Sequence, residues 1–218
     1  STSHLGTDTA YSENTISIGK KLITKLFNSA KFANLHISKI SDYSASIKEE
    51  IKKHLKGFSG EIIFPEHHMS HAAHTFFTSP FSESAILTID GVGEWSTTSF
   101  GAAKNNLIQL TNDIRWPHSL GLFYSAFTYF LGFKVNEGEY KLMGLSSYGK
   151  PKYYDLILDN LIDVKNDGSI HLNMKYFAFT YDKVMTNNNF SELFGISPRK
   201  YNEETLQIHF DIGASAQK

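Results

Sequence analysis

The chain contains ten histidines, and four of them lie within eight residues of one another: His67, His68, His71 and His74. His67 and His71 are four residues apart, so on a helix both imidazoles lie on one face and can reach one ion. Asp90 stands at the end of a predicted strand, where α/β sheets open the crevice that binds ligands. We therefore expect His67, His71 and Asp90 to form a metal site suited to iron, zinc or manganese.

Other interpretations of this histidine cluster stay open. Histidines at helical spacing also cap helices, stack on each other or face solvent, and we expect structural roles for His68 and His74. A zinc-protease helix of the HExxH type is disfavoured, because His68 stands where that motif needs its glutamate.

Three further places in the sequence could contact a ligand. The DGVGEW segment has glycines at 91 and 93, where exposed N–H groups can cradle phosphate oxygens, although a plain turn between strands is the alternative. Glu139 and Lys141 lie at a predicted helix start, where a solvated cap is the alternative. His118 precedes a predicted buried helix, where its side chain either lines a pocket or packs in the core.

Composition limits the class of protein. The chain of 218 residues is 41% hydrophobic and 20% charged, which is typical of a packed domain rather than a disordered chain. A net charge of −1 gives no broad positive field, so we expect no nucleic-acid partner. The absence of cysteine excludes disulfides and thiolate chemistry and fits a cytoplasmic protein. Without an apolar run of about 18 residues or a leader sequence, we expect neither a membrane span nor export.

The remaining patterns predict one α/β domain with a mixed sheet and flanking helices. The predicted helices are 15–29, 47–55, 67–77, 119–133, 138–149, 153–162 and 203–218. The predicted strands are 61–64, 85–90, 96–104 and 106–115, followed by a short hairpin at 166–168. A Lys-Asn-Asn turn at 104–106 predicts that these strands form a meander. The last helix is still running at the end of the chain, which suggests a fragment of a longer protein.

Several motifs occur in an order that resembles the O-carbamoyltransferases of the nodulation-factor and antibiotic-tailoring type. They are HHMSH, LTIDGVGEWSTT, PHSLGLFYSAFTYFLGF, GEYKLMGLSSYGKP and HFDIGASAQ. The resemblance is strong over 62–151 and continues to the end of the chain, with a divergent stretch at 152–200. It implies an actin/sugar-kinase-like (ribonuclease H-like) fold. Residues 1–218 would then be a partial N-terminal domain, without its first strands, its second half and the C-terminal adenylate-forming domain.

The resemblance also implies a reaction and a set of site residues. Carbamoyl phosphate and ATP give a carbamoyl-adenylate, whose carbamoyl group passes to a hydroxyl of a small sugar or natural-product acceptor. By motif, His67, His71 and Asp90 match ligands of Fe(II) or another divalent metal. The nucleotide cleft is implied to include Gly91, Val92, Gly93, Glu139 and Lys141. Asp211 matches an acidic position that we assign as the base for the acceptor hydroxyl; the alternative is a surface or capping residue.

Two other functions stay in competition with this one. A non-catalytic nucleotide- or metal-binding module of the same superfamily would keep the site without the transfer. An iron oxygenase would use the same ligand set but places it on a β-barrel, which disagrees with a helical HxxxH. We expect the fragment alone to be inactive, and to self-associate through the apolar helix at 119–133.

Overall fold

The computed structural model describes residues 40–218, with side chains from residue 46 onward. The chain divides into two compact units, Ser1–Glu61 and Ile62–Lys218. The described part of the first unit is helix α1, Ile40–His54. This confirms the helix predicted at 47–55, which begins earlier than predicted, at Ile40. The helix predicted at 15–29 lies outside the described residues.

The second unit contains all the other described elements. In chain order they are α2 His67–Phe77, β1 Glu83–Gly93, β2 Ser96–Lys104, β3 Leu107–Arg115, α3 Leu120–Phe130, α4 Glu139–Ser146, α5 Tyr154–Asn160, β4 Ile162–Val164, β5 Ile170–Leu172, α6 Asn188–Phe194 and α7 Gln207–Gln217. No helix within residues 40–218 is both long and apolar enough to cross a membrane.

Strands β1, β2 and β3 form an antiparallel sheet in the order β1-β2-β3, which confirms the predicted meander. Asn105 adopts a positive φ of 54° in the turn between β2 and β3, a conformation that asparagine tolerates. Helix α2 covers one face of this sheet, because its apolar residues Ala72 and Phe76 pack with Ile86 of β1. The face of α2 that carries His67 and His71 stays exposed.

The larger core lies among the helices that follow the sheet. Phe127 and Phe130 of α3 are fully buried, and their rings contact Phe190 of α6 at centroid distances of 5.3 and 4.8 Å. Each such aromatic side chain removes a large apolar area from water, which is the main stabilising contribution to the fold. The burial of α3 confirms the predicted buried helix. Self-association was expected through an exposed apolar face of this helix, so its burial removes the reason for that expectation, which stays a prediction.

Other predictions about the elements are wrong. Residues 61–64 have no regular structure, because no described strand pairs with them and Pro65 follows, and the Ile63 side chain is exposed. The described strand pairs are all antiparallel, so the parallel pairs of a mixed sheet are absent from residues 40–218. Antiparallel pairing follows from short turns, since parallel pairs need long crossovers.

Helices α6 and α7 also differ from the sequence prediction. Helix α6 lies in the divergent stretch and was not predicted. Helix α7 begins at Gln207, four residues later than predicted, because a turn at 200–203 precedes it. Arg199 holds this turn: its Nη1 donates to the Glu203 carbonyl at 2.7 Å.

Two histidines tie backbone segments together through an unprotonated ring nitrogen. His118 Nδ1 accepts the Leu172 N–H at 3.1 Å, and His209 Nδ1 accepts the Leu206 N–H at 2.9 Å. Burial lowers the pKa of both imidazoles, helped by His171 near the first and by Arg199 near the second. His118 is therefore a packing residue in this structure.

We predict that the free energy of unfolding falls as the pH drops below about 6.5, the ordinary histidine pKa. Between the lowered folded pKa and that value, the unfolded chain binds more protons than the folded chain, so stability rises with pH in this window. Urea unfolding at several pH values measures it. In the His118→Asn variant, the amide oxygen can still accept a hydrogen bond but does not titrate, so the free energy of unfolding should depend less on pH than in the wild-type protein. Identical pH profiles of the two proteins would contradict the assignment.

Candidate metal centre

Helix α2 and the end of strand β1 bring His67, His71 and Asp90 together, as the sequence predicted. His67 Nε2 lies 2.6 Å from Asp90 Oδ2 and 2.9 Å from His71 Nε2, and His71 Nε2 lies 3.4 Å from the same carboxylate oxygen. Within the described residues, this is the one group of three or more histidine and acidic residues whose ligand atoms converge. The spacing of four residues on α2 directs both imidazoles to the same side of the helix.

The donor set fits a divalent transition-metal ion. Ligand atoms about 2.0–2.2 Å from an ion lie about 3 Å from one another, which is the separation seen here. The side chains of His67, His71 and Asp90 are 42%, 55% and 33% exposed, so one side of the group faces solvent. Three protein ligands with an open side are typical of a catalytic rather than a structural metal site.

Asp90 is positioned by an irregularity in the sheet. The β1–β2 register shifts between Ile89, opposite Thr98, and Gly93, opposite Ser96, so extra residues of β1 bulge out between these pairs. Bulges of this kind redirect side chains at the edges of sheets. The Gly91 N–H donates to Asp90 Oδ1 at 2.7 Å, which leaves Oδ2 directed at the two histidines.

The electrostatics of Asp90 favour the ionised carboxylate. Partial burial by itself raises the pKa of Asp90, but hydrogen bonds from the Gly91 N–H and from His67 outweigh it and hold that pKa below its ordinary value. An ionised carboxylate and neutral imidazoles are the forms that bind a metal.

Helix α3 and its cap contact the backbone of Asp90 and Gly91. The Ser119 hydroxyl caps this helix by accepting the Leu122 N–H at 3.0 Å, and it donates to the Gly91 carbonyl at 2.7 Å. Gly121 lies so close to β1 that a Cβ there would be 2.7 Å from the Asp90 carbonyl oxygen. The serine before an apolar helix is a recognisable cap signal, but nothing in the sequence indicated that Ser119 and Gly121 hold the metal-site strand.

His68 lies beneath the metal ligands and is 4% exposed. Its Nδ1 contacts the Ser99 hydroxyl at 2.7 Å and the Thr88 hydroxyl at 2.9 Å, which anchors α2 on the sheet. Gly93 packs against this ring, because a Cβ at position 93 would lie 2.7 Å from His68 Nε2. Burial lowers the pKa of His68. His68 thus has the structural role that the sequence predicted, whereas His74 is exposed and outside the metal group.

The residues predicted to bind nucleotide lie in two places. Gly91, Val92 and Gly93 form the bulged end of β1 beside Asp90, and the Val92 side chain is exposed. Glu139 begins helix α4, where it accepts the Ser125 hydroxyl at 2.9 Å and the Asn136 N–H at 3.0 Å. Lys141 is exposed on the same helix. The contacts of Glu139 show a capping role; nucleotide binding by these five residues stays a prediction.

Asp211, the predicted base, is buried in helix α7. Its Oδ1 accepts the Lys150 N–H at 2.9 Å, and its Oδ2 pairs with Lys152 Nζ at 2.7 Å. Lys152 and the Lys150 N–H lower the pKa of Asp211 to about 2. Gln207 also donates to Oδ1. These contacts favour a structural role, which ties the loop after α4 to α7, and the proton transfer assigned to Asp211 stays a prediction.

The fold and the site define an α/β domain with an open two-histidine, one-carboxylate centre. Residues 12–218 match the family described as Carbamoyltransferase N-terminus, so the chain belongs to this family. The resemblance seen in the sequence motifs is thereby confirmed at the level of the family.

Curated relatives support the same grouping. An uncharacterized protein of Synechocystis is 57% identical over 157 residues, which are 72% of this chain and 25% of that protein. The nodulation proteins NolNO of Sinorhizobium fredii and NolO of Bradyrhizobium diazoefficiens are 29% and 28% identical over 72% and 70% of this chain, and these matches cover 21% and 26% of their lengths. The chain thus spans about a quarter or less of the length of these three relatives.

We predict that Gly121→Ala destabilises the protein by about 1–3 kcal/mol, the usual cost of overpacking, and weakens metal binding, because the new Cβ pushes α3 away from Asp90. Gly144→Ala in α4 is the matched control. A Cβ at 144 meets nothing within 4 Å, so this change should stabilise by about 1 kcal/mol. Urea unfolding and calorimetric titration with Mn²⁺ measure both effects, and equal behaviour of the two variants would contradict the proposed packing.

Proposed function

We propose that this chain is the metal-bearing part of a carbamoyltransferase. The enzyme passes a carbamoyl group from an ATP-derived carbamoyl-adenylate to a hydroxyl of a small acceptor, with release of AMP and the hydroxyl proton. The observation that carries the proposal is the convergence of His67, His71 and Asp90 in a chain of the carbamoyltransferase N-terminus family. The names of the nodulation relatives are consistent with the family but do not specify an acceptor.

The chain's own residues would hold the ion and keep its open side accessible. His67 and His71 would bind through Nε2 and Asp90 through Oδ2, since these atoms face one another. Fe(II) or another divalent ion, when bound, supplies Lewis acidity toward a carbonyl or phosphate oxygen. The Gly91 N–H keeps Asp90 Oδ2 directed at the histidines, and Ser119 keeps the Gly91 backbone in place.

The nucleotide part of the proposal rests on the bulge and on helix α4. The bulged segment around Val92 brings backbone N–H groups beside Asp90, and Lys141 offers an exposed ammonium group. The Gly91 N–H already donates to Asp90, so a phosphate contact at Gly91 would compete with the metal-site carboxylate. We therefore propose Val92 and Lys141 as the first positions to test for nucleotide contact.

We predict that the purified chain binds Mn²⁺ or Fe(II) at close to one ion per chain, and that the double variant His67→Ala/His71→Ala loses this ion. Two of the three protein ligands are then gone, and a single carboxylate does not retain a transition metal. Inductively coupled plasma mass spectrometry measures the metal content. His74→Ala, on the same helix but outside the group, is the matched control and should keep the ion. Equal metal content in all three proteins would contradict the assignment.

We predict that the full-length protein transfers a carbamoyl group from carbamoyl-adenylate to a hydroxyl acceptor and that Asp90→Asn lowers the rate. The amide preserves the shape of the side chain but removes the negative charge of a direct ligand. Metal affinity should fall by more than about 10-fold, because even residues that only hydrogen-bond to a metal ligand typically cost that much when they are mutated. Product formation is measured by mass spectrometry with a panel of hydroxylated acceptors. Metal and nucleotide binding without product from the wild-type protein would favour a non-catalytic module instead.

A further inference from the structure

A cleft of about 390 Å³ opens beside the metal centre, on the side of His67 that faces strand β3. Its walls are the first turn of α2, the turn between β1 and β2, and the end of β3. His67 belongs both to the metal group and to the wall of this cleft. A molecule in the cleft therefore lies next to the place where the proposed transfer occurs.

The charged residues that line the cleft leave an excess of negative charge. Glu66, Glu94 and Asp113 contribute carboxylates, and Arg115 is the one lysine or arginine among the lining residues. Arg115 Nε already donates to Asp113 Oδ2 at 2.7 Å, so Glu66 and Glu94 are left without a compensating cation among these residues. Glu66 directly precedes α2 and offsets the positive end of that helix, which would otherwise favour an anion.

An aromatic side chain in the lining indicates which kind of ligand the cleft takes. Trp95 is partly exposed in the same cleft, and an indole face next to carboxylates is a typical binding surface for an organic ammonium group.

We propose that this cleft binds the carbamoyl acceptor and that Glu66, Glu94 and Trp95 select an acceptor that carries a cationic amine besides its hydroxyl. The identity of the ligand as the acceptor rests on the proposed function, whereas its positive charge is inferred from the cleft alone. The carboxylates attract the ammonium group, and the indole contacts it.

A pair of probes isolates the charge. Choline and 3,3-dimethylbutan-1-ol have the same shape and the same hydroxyl, but the first carries a permanent positive charge and the second is neutral. Saturation-transfer difference NMR on the metal-loaded chain measures the binding of each through its methyl signal. The wild-type protein should bind choline more tightly than the neutral alcohol.

Glu94→Gln should weaken choline binding by about 2- to 5-fold, as expected for one partly exposed charge pair, and should leave the neutral alcohol unaffected. Glu204→Gln is the matched control, because it removes an exposed carboxylate that does not line the cleft. Equal binding of the two probes by the wild-type protein, binding of neither probe, or equal effects of the two substitutions would overturn the proposal. Metal content measured on the same samples separates these results from a failure of the proposed function, since a retained ion leaves that function standing.

Discussion

The close approach of the end of β1 to the first turns of α2 and α3 is the constraint on which the site depends. Gly93 lets the strand pass directly against the imidazoles of α2, and Gly121 lets α3 pass directly against the Asp90 backbone. Ser119 bonds the strand to the helix cap, and the bulge turns Asp90 toward the histidines. The end of β1 is therefore fixed between the imidazoles of α2 on one side and the backbone of α3 on the other.

This packing has an electrostatic consequence. Three donor atoms face one another at distances of 2.6–3.4 Å, and the Asp90 oxygen among them belongs to an ionised carboxylate. Lone pairs held this close repel one another unless a proton or a cation lies between them. Because Asp90 Oδ1 is already bonded to the Gly91 N–H, the other oxygen is left for the cation. This arrangement supports the proposed cation site.

Sequence reasoning was most successful where a local pattern determines the geometry. The spacing of His67 and His71 on a helix sets their common face, and the Lys-Asn-Asn turn between two β-rich runs sets the meander. It failed where the outcome depends on distant partners. Residues 61–64 have the composition of a strand but pair with no strand among residues 40–218. The contacts of Asp211 come from a loop about 60 residues earlier, between α4 and α5. Gly121 carries no local signal, because its role is to leave room for another element.

The central claim is that two imidazoles and one carboxylate of this chain bind one divalent metal ion. X-ray absorption spectroscopy at the edge of the bound metal tests it most directly, since imidazole ligands give a distinct multiple-scattering pattern. We predict two imidazoles in the coordination shell of the wild-type protein and one after His71→Ala. A shell made only of oxygen ligands, or a pattern that His71→Ala leaves unchanged, would contradict the account.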